Sequence, residues 1–262
     1  MARFISLFSS SSGNSTYIGN SKHGILIDIG KSAKQIENKL FSFGIDPNTI
    51  DAIFITHSHS DHIQGVKVFA SRYGTKVYAS QGTLDELEQQ GCINDKFDAF
   101  VVPYEGVDLG DMFIKSFRIS HDTKEPCGYS ASFSDGRRIS VVTDTGVVTD
   151  EILRAIRGSD LVLLESNYDE GMLRNGPYTY QHKMRILSES GHLSNNDCAE
   201  LCKTLVNSGT TRFVLGHIST NNNFPELAFE TAKAVFNEIG AVEGVDYILS
   251  VAKKDGSDLI TL

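Results

Sequence analysis

The stretch "THSHSDH", Thr56–His62, places three of the chain's eight histidines and an aspartate within seven residues. The run before it, IDAIFI (Ile50–Ile55), is apolar and rich in β-branched residues, the pattern of a buried strand. A strand that runs out into His-x-His-x-Asp-His delivers several ligands to the loop at its C-terminal end. Two residues apart on an extended segment, His57 and His59 point the same way and can grip one metal ion. Once the chain turns, Asp61 and His62 can present an oxygen and a nitrogen to a second ion. Imidazole and carboxylate suit borderline divalent cations such as zinc and manganese.

Working outward, the segments before this stretch alternate short β-rich runs with turns: RFISLFS, STYIG and HGILIDIG. A helix over SAKQIENKLFSFG follows, ending near Gly44 and Asp46-Pro47. Beyond the stretch, IQGVKVFASRYG and TLDELEQQG read as helices around a strand at KVYAS, with strands at FDAFVVP and DMFIKSFRIS. GYSASFSDGRRISVVTDTG carries a turn at Asp135-Gly136. DEILRAIRG, NNDCAELCKTLVNSG and PELAFETAKAVFNEIG read as helices, and LVLLES and TRFVLGHIS as strands. YILSVAK and DLITL suggest a finishing hairpin. Alternating strands and helices without a Pro/Gly linker indicate an α/β chain forming a single domain over residues 1–262.

The 262 residues suffice for a well-buried core, and 40% hydrophobic with 22% charged residues is ordinary for a globular protein. A net charge of −9 argues against a nonspecific coat for a polyanion, although bound cations can reverse the sign locally. MARFISLFSS is too short and polar for a signal-peptide core, and no run approaches a membrane span, so a cytoplasmic protein without membrane contact is expected. The four cysteines, Cys92, Cys127, Cys198 and Cys202, have no metal-binding spacing. Cys198 and Cys202 share a helix face and read as packed thiols.

Two metals need more ligands than one turn supplies, and three further candidates follow strand-like runs. His121 follows FRIS, Asp144 follows ISVVT, and His217 follows RFVLG. Asp144 can bridge two ions, which stand about 3.5–4 Å apart in such sites.

This ordered set resembles the metallo-β-lactamase fold of metal-dependent hydrolases. The resemblance implies a four-layer αββα sandwich holding two divalent ions per chain, zinc or manganese. In that pattern His57, His59 and His121 hold the first ion, Asp61, His62 and His217 the second, and Asp144 bridges. Asp28, at the end of GILID, matches an early aspartate that braces the ligand loop.

The absence of a His-x-Glu-x-Asp-His block disfavours a flavo-diiron protein, and an aspartate at 144 disfavours a secreted β-lactamase. GHLSNND, Gly191–Asp197, is similar to a His-Ser/Thr segment of the family's tRNA-processing nucleases. It implies that His192 binds phosphate or donates a proton, beside Ser194 and Asn195 at a helix N-terminus suited to phosphate. FSSSSGNSTYIGN and LGHISTNNNFP resemble the YycJ/WalJ-type branch of bacterial exonucleases, which implies nucleic acid, DNA ends in particular, as partner. Ser12 and Asn14 then lie in a loop over the site. Between Gly171 and Ser188 there is no acidic residue, and Arg174, Tyr178 and Tyr180 offer charge for phosphates and rings for bases.

The residues point to a binuclear metal-dependent hydrolase, and the resemblance implies a phosphodiesterase, foremost a 5′-to-3′ DNA exonuclease in which Asp61 and His192 act on the reacting atoms. A thioester or lactone hydrolase of the glyoxalase II kind, a tRNA-processing ribonuclease and a non-enzymatic metal-stabilised regulator are the alternatives. The residues set no oligomeric state, and His23 and His182 take no role.

Overall fold

A computed structural model describes the whole chain, Met1–Leu262. Its backbone gathers into two compact units that interleave in sequence. The first comprises Met1–Ser116, Thr123–Arg137 and Lys253–Leu262; the second comprises Phe117–Asp122 and Arg138–Ala252.

In the first unit, β1 (Arg3–Phe8), β2 (Ser15–Gly19) and β3 (Gly24–Ile27) are antiparallel neighbours. β4 (Ile50–Phe54), β5 (Lys76–Ala79) and β6 (Ala99–Val101) then continue the sheet in parallel from β3. The change of direction follows from the connections. Tight turns join the first strands, whereas α1 (Ala33–Ser42), α2 (Ser60–Ile63), α3 (Val66–Tyr73) and α4 (Gln81–Gln89) carry the chain back between the later ones.

Local sequence sets these helix ends. Ser32 and Gln35 form a reciprocal capping box at α1. Gly74, at φ 64°, closes α3 in a left-handed conformation that costs glycine little. Ile36 and Leu40 of α1 and Phe69 of α3 pack with Leu26 and Ile53 in one apolar core. The same unit holds β7 (Val107–Asp108), β9 (Cys127–Phe133) and β8 (Met112–Arg118) as far as Ser116, with a turn in which Gly136 adopts φ 88°.

The second unit is built on four parallel strands, β10 (Arg138–Val142), β11 (Leu161–Glu165), β12 (Arg212–Gly216) and β13 (Ile248–Val251). Helices α5 (Asp150–Ile156), α6 (Glu170–Asn175), α7 (Tyr180–Ile186), α8 (Asn195–Val206) and α9 (Pro225–Glu238) connect them. The central strands read as nearly unbroken apolar runs because neither face meets water. Their core includes Leu164, Phe213, Phe236 and the buried thiols of Cys198 and Cys202. Phe236 stacks on Tyr247 with ring centroids 3.9 Å apart.

The strands make up two seven-stranded sheets. One expectation is overturned: YILSVAK and DLITL do not form a hairpin. β13 lies parallel to β12, whereas β14 (Ile260–Thr261) pairs antiparallel with β1, in the other sheet. The free edge of β1 accepts the terminal residues, and the polar segment Lys253–Asp258 is long enough to part them. No helix is long and apolar enough to cross a membrane.

Candidate metal centre

Chemistry collects at the C-terminal ends of the parallel strands in both units. Four non-glycine residues in the chain have positive φ, and three are candidate site residues: Asp28 at 61°, Asp144 at 59° and His217 at 53°. Asp28 directly follows β3, His217 directly follows β12, and Asp144 lies two residues beyond β10. Such backbone costs on the order of 1–3 kcal/mol per residue and persists where the surroundings dictate it. Here it turns each side chain away from the strand direction at the point where the strand stops.

In the first unit, Asp28 is buried and organises the histidine loop. Its Oδ1 accepts the Thr56 amide at 2.8 Å, and its Oδ2 accepts the Thr56 hydroxyl and the His62 Nδ1 proton, each at 2.8 Å. Burial pushes the Asp28 carboxyl up from its ordinary value, while His62 and Thr56 pull against it. With Nδ1 donating, the His62 lone pair lies on Nε2. The His57 Nδ1 lies 3.0 Å from the Thr56 hydroxyl, and the His57 ring is 4.0 Å from that of His62 and 4.8 Å from that of His59. One helical turn, α2, then carries Asp61 and His62, whose Oδ2 and Nε2 stand 3.5 Å apart.

In the second unit, Glu165 ends β11 fully buried. Its Oε1 lies 2.7 Å from the Nδ1 of both His192 and His217, and its Oε2 accepts the Thr145 and Leu193 amides at 2.9 and 3.2 Å. Burial alone raises this carboxyl, but the charge and hydrogen bonds of the two imidazoles, His192 first, outweigh it and hold Glu165 below the usual carboxylate range. Asp144 Oδ1 stands 3.3 Å from His217 Nδ1. His121 directs Nδ1 to the Gly191 carbonyl at 3.0 Å, and its ring lies 5.1 Å from that of His192.

These surroundings fit a divalent cation. His62, His121 and His217 each engage Nδ1 with a carboxylate or carbonyl oxygen, the arrangement that fixes the tautomer of a metal-binding imidazole. Asp144, Glu165, His192 and His217 offer donor atoms all within 4.8 Å of one another. Glu165 is the residue that sequence reasoning missed. The signal was present: LVLLE ends in an acid as GILID does, at the same end of a parallel strand.

The expected substrate contacts fall in different settings. Ser12 is exposed; its hydroxyl lies 2.9 Å from that of Ser10 and accepts the Lys31 amine at 3.1 Å. Asn14 is buried and turns its carboxamide onto Asp61 and His62. Ser194 is buried as the N-cap of α8, its hydroxyl exchanged with Asp197. Asn195 is buried in a bonded set with Ser166 and Asn223. Arg174 pairs with Glu170 at 3.5 Å on the surface, and Tyr180 is 77% exposed, so its ring is open to stacking. The Tyr178 hydroxyl accepts from Asn221 at 2.7 Å while its ring stacks on His182 at 4.4 Å. His23, exposed, meets Asp51 at 3.3 Å.

Residues 23–218 match the model of the Beta-lactamase superfamily domain. The exodeoxyribonuclease WalJ of Streptococcus pneumoniae is 38% identical over 244 residues, 92% of this chain and 90% of that protein. The exodeoxyribonuclease YycJ of Bacillus anthracis is 36% identical over 238 residues, 90% of each. Among solved structures, the metallo-β-lactamase fold protein YhfI of Bacillus subtilis superposes with a TM-score of 0.75 at 13% identity, covering 100% of both chains. A shared fold at that distance and a family match along three-quarters of the sequence agree with the strand-end chemistry: this chain belongs to the beta-lactamase superfamily, has the metallo-β-lactamase fold, and groups with the WalJ and YycJ proteins.

Proposed function

We propose that this chain hydrolyses phosphodiester bonds in nucleic acid and is a cytosolic 5′-to-3′ exonuclease acting on DNA ends. The observation that carries this reading is likeness along nine-tenths of the chain to two proteins named exodeoxyribonucleases. The Asp28-braced histidine loop and the Glu165-braced imidazoles support a metal-dependent hydrolase, since they prepare nitrogen and carboxylate donors for cations.

His57, His59 and His121 would hold one divalent ion, zinc or manganese, and Asp61, His62 and His217 a second, with Asp144 shared. Two such ions, when bound, supply Lewis acidity that makes water nucleophilic near neutral pH and offsets phosphate charge. Asp28 fixes the His62 tautomer, and Glu165 does the same for His217. Asp61 orients the attacking water and takes its proton. His192, held at Nδ1 by Glu165, gives a proton from Nε2 to the departing oxygen. Ser12, Arg174, Tyr178 and Tyr180 contact the strand, and residues 1–262 act as one catalytic domain.

The test is incubation of the metal-loaded protein with 5′-labelled duplex DNA, bis-p-nitrophenyl phosphate and a lactoylglutathione-type thioester. Release of labelled nucleotides and nitrophenol with the thioester left intact is the expected result. Thioester cleavage with DNA untouched would sink the reading.

A further inference from the structure

Asn14 lies 6% exposed and makes five hydrogen bonds, three of them to the ligand loop. Its backbone amide donates to the Asp61 carbonyl at 2.8 Å, and its carbonyl accepts the Gly30 amide at 2.7 Å. The side-chain Oδ1 accepts the Ser10 amide at 3.1 Å. The side-chain Nδ2 lies 3.1 Å from Asp61 Oδ2 and 3.0 Å from His62 Nε2.

The orientation of this carboxamide is forced. A flipped group would set its NH2 against the Ser10 N–H and its oxygen against the Asp61 carboxylate, two repulsive pairings. Because His62 donates from Nδ1 to Asp28, its Nε2 can only accept. One NH2 group therefore gives one hydrogen to a carboxylate oxygen and the other to an imidazole lone pair. They belong to the two residues, Asp61 and His62, proposed above to share one cation.

We propose that Asn14 is a positioning residue that gathers Asp61 and His62 before the ion arrives and afterwards holds Asp61 in its working orientation. The inference rests on the metal-dependent reading given above. Without the amide, a carboxylate and a lone-pair nitrogen 3.5 Å apart face one another with no proton between them, and the loop relaxes by turning Asp61 outward. With it, the pair stays assembled, and ion binding exchanges a single hydrogen bond at His62. The role differs from a substrate contact, since the group is buried and both hydrogens point at protein atoms.

The test compares wild type with Asn14→Ala by chelator competition with zinc and with manganese, and by steady-state cleavage of DNA at saturating metal. Affinity for the more weakly held ion is expected to fall about 10–100-fold, the usual cost of losing a group that orients a ligand. kcat should fall while KM for DNA stays near wild type; a substrate contact would instead raise KM. Chelator competition needs no substrate, so failure of the nuclease reading leaves that arm intact.

Should Asn14→Ala not fold, the side-chain 15N amide resonance of Asn14 in wild type decides. It should be protected from solvent exchange in metal-free protein and shift as zinc is added. Wild-type affinity for both ions in Asn14→Ala, or an Asn14 amide exchanging as an exposed group does, would overturn the assignment.

Discussion

Asp28 Oδ2 lies 2.8 Å from His62 Nδ1, both residues buried, and the same oxygen accepts the Thr56 hydroxyl. The carboxylate thus selects which His62 nitrogen carries the proton and ties that choice to the start of the histidine loop. Asn at this position keeps the shape but brings an N–H toward donors that need an acceptor. Asp28→Asn is expected to lower metal affinity about 10–100-fold. Chelator competition measures this; a wild-type value would remove Asp28 from any part in holding the loop.

Glu165 accepts from His192 and His217 through one oxygen and from two backbone amides through the other. Glu165→Gln retains an acceptor but removes the charge that the two imidazoles stabilise against burial. Turnover on bis-p-nitrophenyl phosphate is expected to fall about 10–100-fold through misdirected imidazoles. Elemental analysis of the same sample shows whether metal is lost too. Unchanged turnover would show that neither imidazole depends on it.

Asp144 and His192 should separate cleanly. Asp144→Ala removes a proposed shared ligand and is expected to lose both metal and activity. His192→Ala is expected to keep its metal and lose about 10²–10⁴-fold in kcat, the usual range for a general acid. Full activity in His192→Ala would take that residue out of the reaction.

Gly30 is packed so closely that a Cβ there would overlap the Asp61 carbonyl oxygen and crowd the Asn14 amide. These are backbone atoms and cannot swing aside as a side chain can. Gly30→Ala is expected to displace the Asp61 loop, with a lower melting temperature and weakened metal binding. A variant with both at wild-type level would mean that the loop shifts freely.

The histidine loop was legible because three imidazoles and an aspartate after an apolar strand concentrate rare residues in one place. His121, Asp144 and His217 were legible only as an ordered set, since one polar residue after a strand is common. Glu165 stayed hidden because a single acid ending LVLLE looks like an ordinary strand boundary, and its partners lie 27 and 52 positions away. Asn14 was noticed for its serine-glycine turn and placed in a loop over the site; periodicity says nothing of which way a loop amide points. The closing hairpin was misread: adjacency in sequence suggested pairing, but the open edge of β1 took the last strand.

The left-handed backbone at Asp28, Asp144 and His217 sets local strain against the proposed chemistry at the same three positions. Glycine relieves that strain and erases the side chain. On the proposed metal site, a screen that rewards heat resistance alone would therefore enrich inactive proteins at Asp144 and His217, whereas at Asp28 glycine also leaves the Thr56 amide without its acceptor. Acid and imidazole at these places therefore carry a backbone cost that the proposed chemistry asks for.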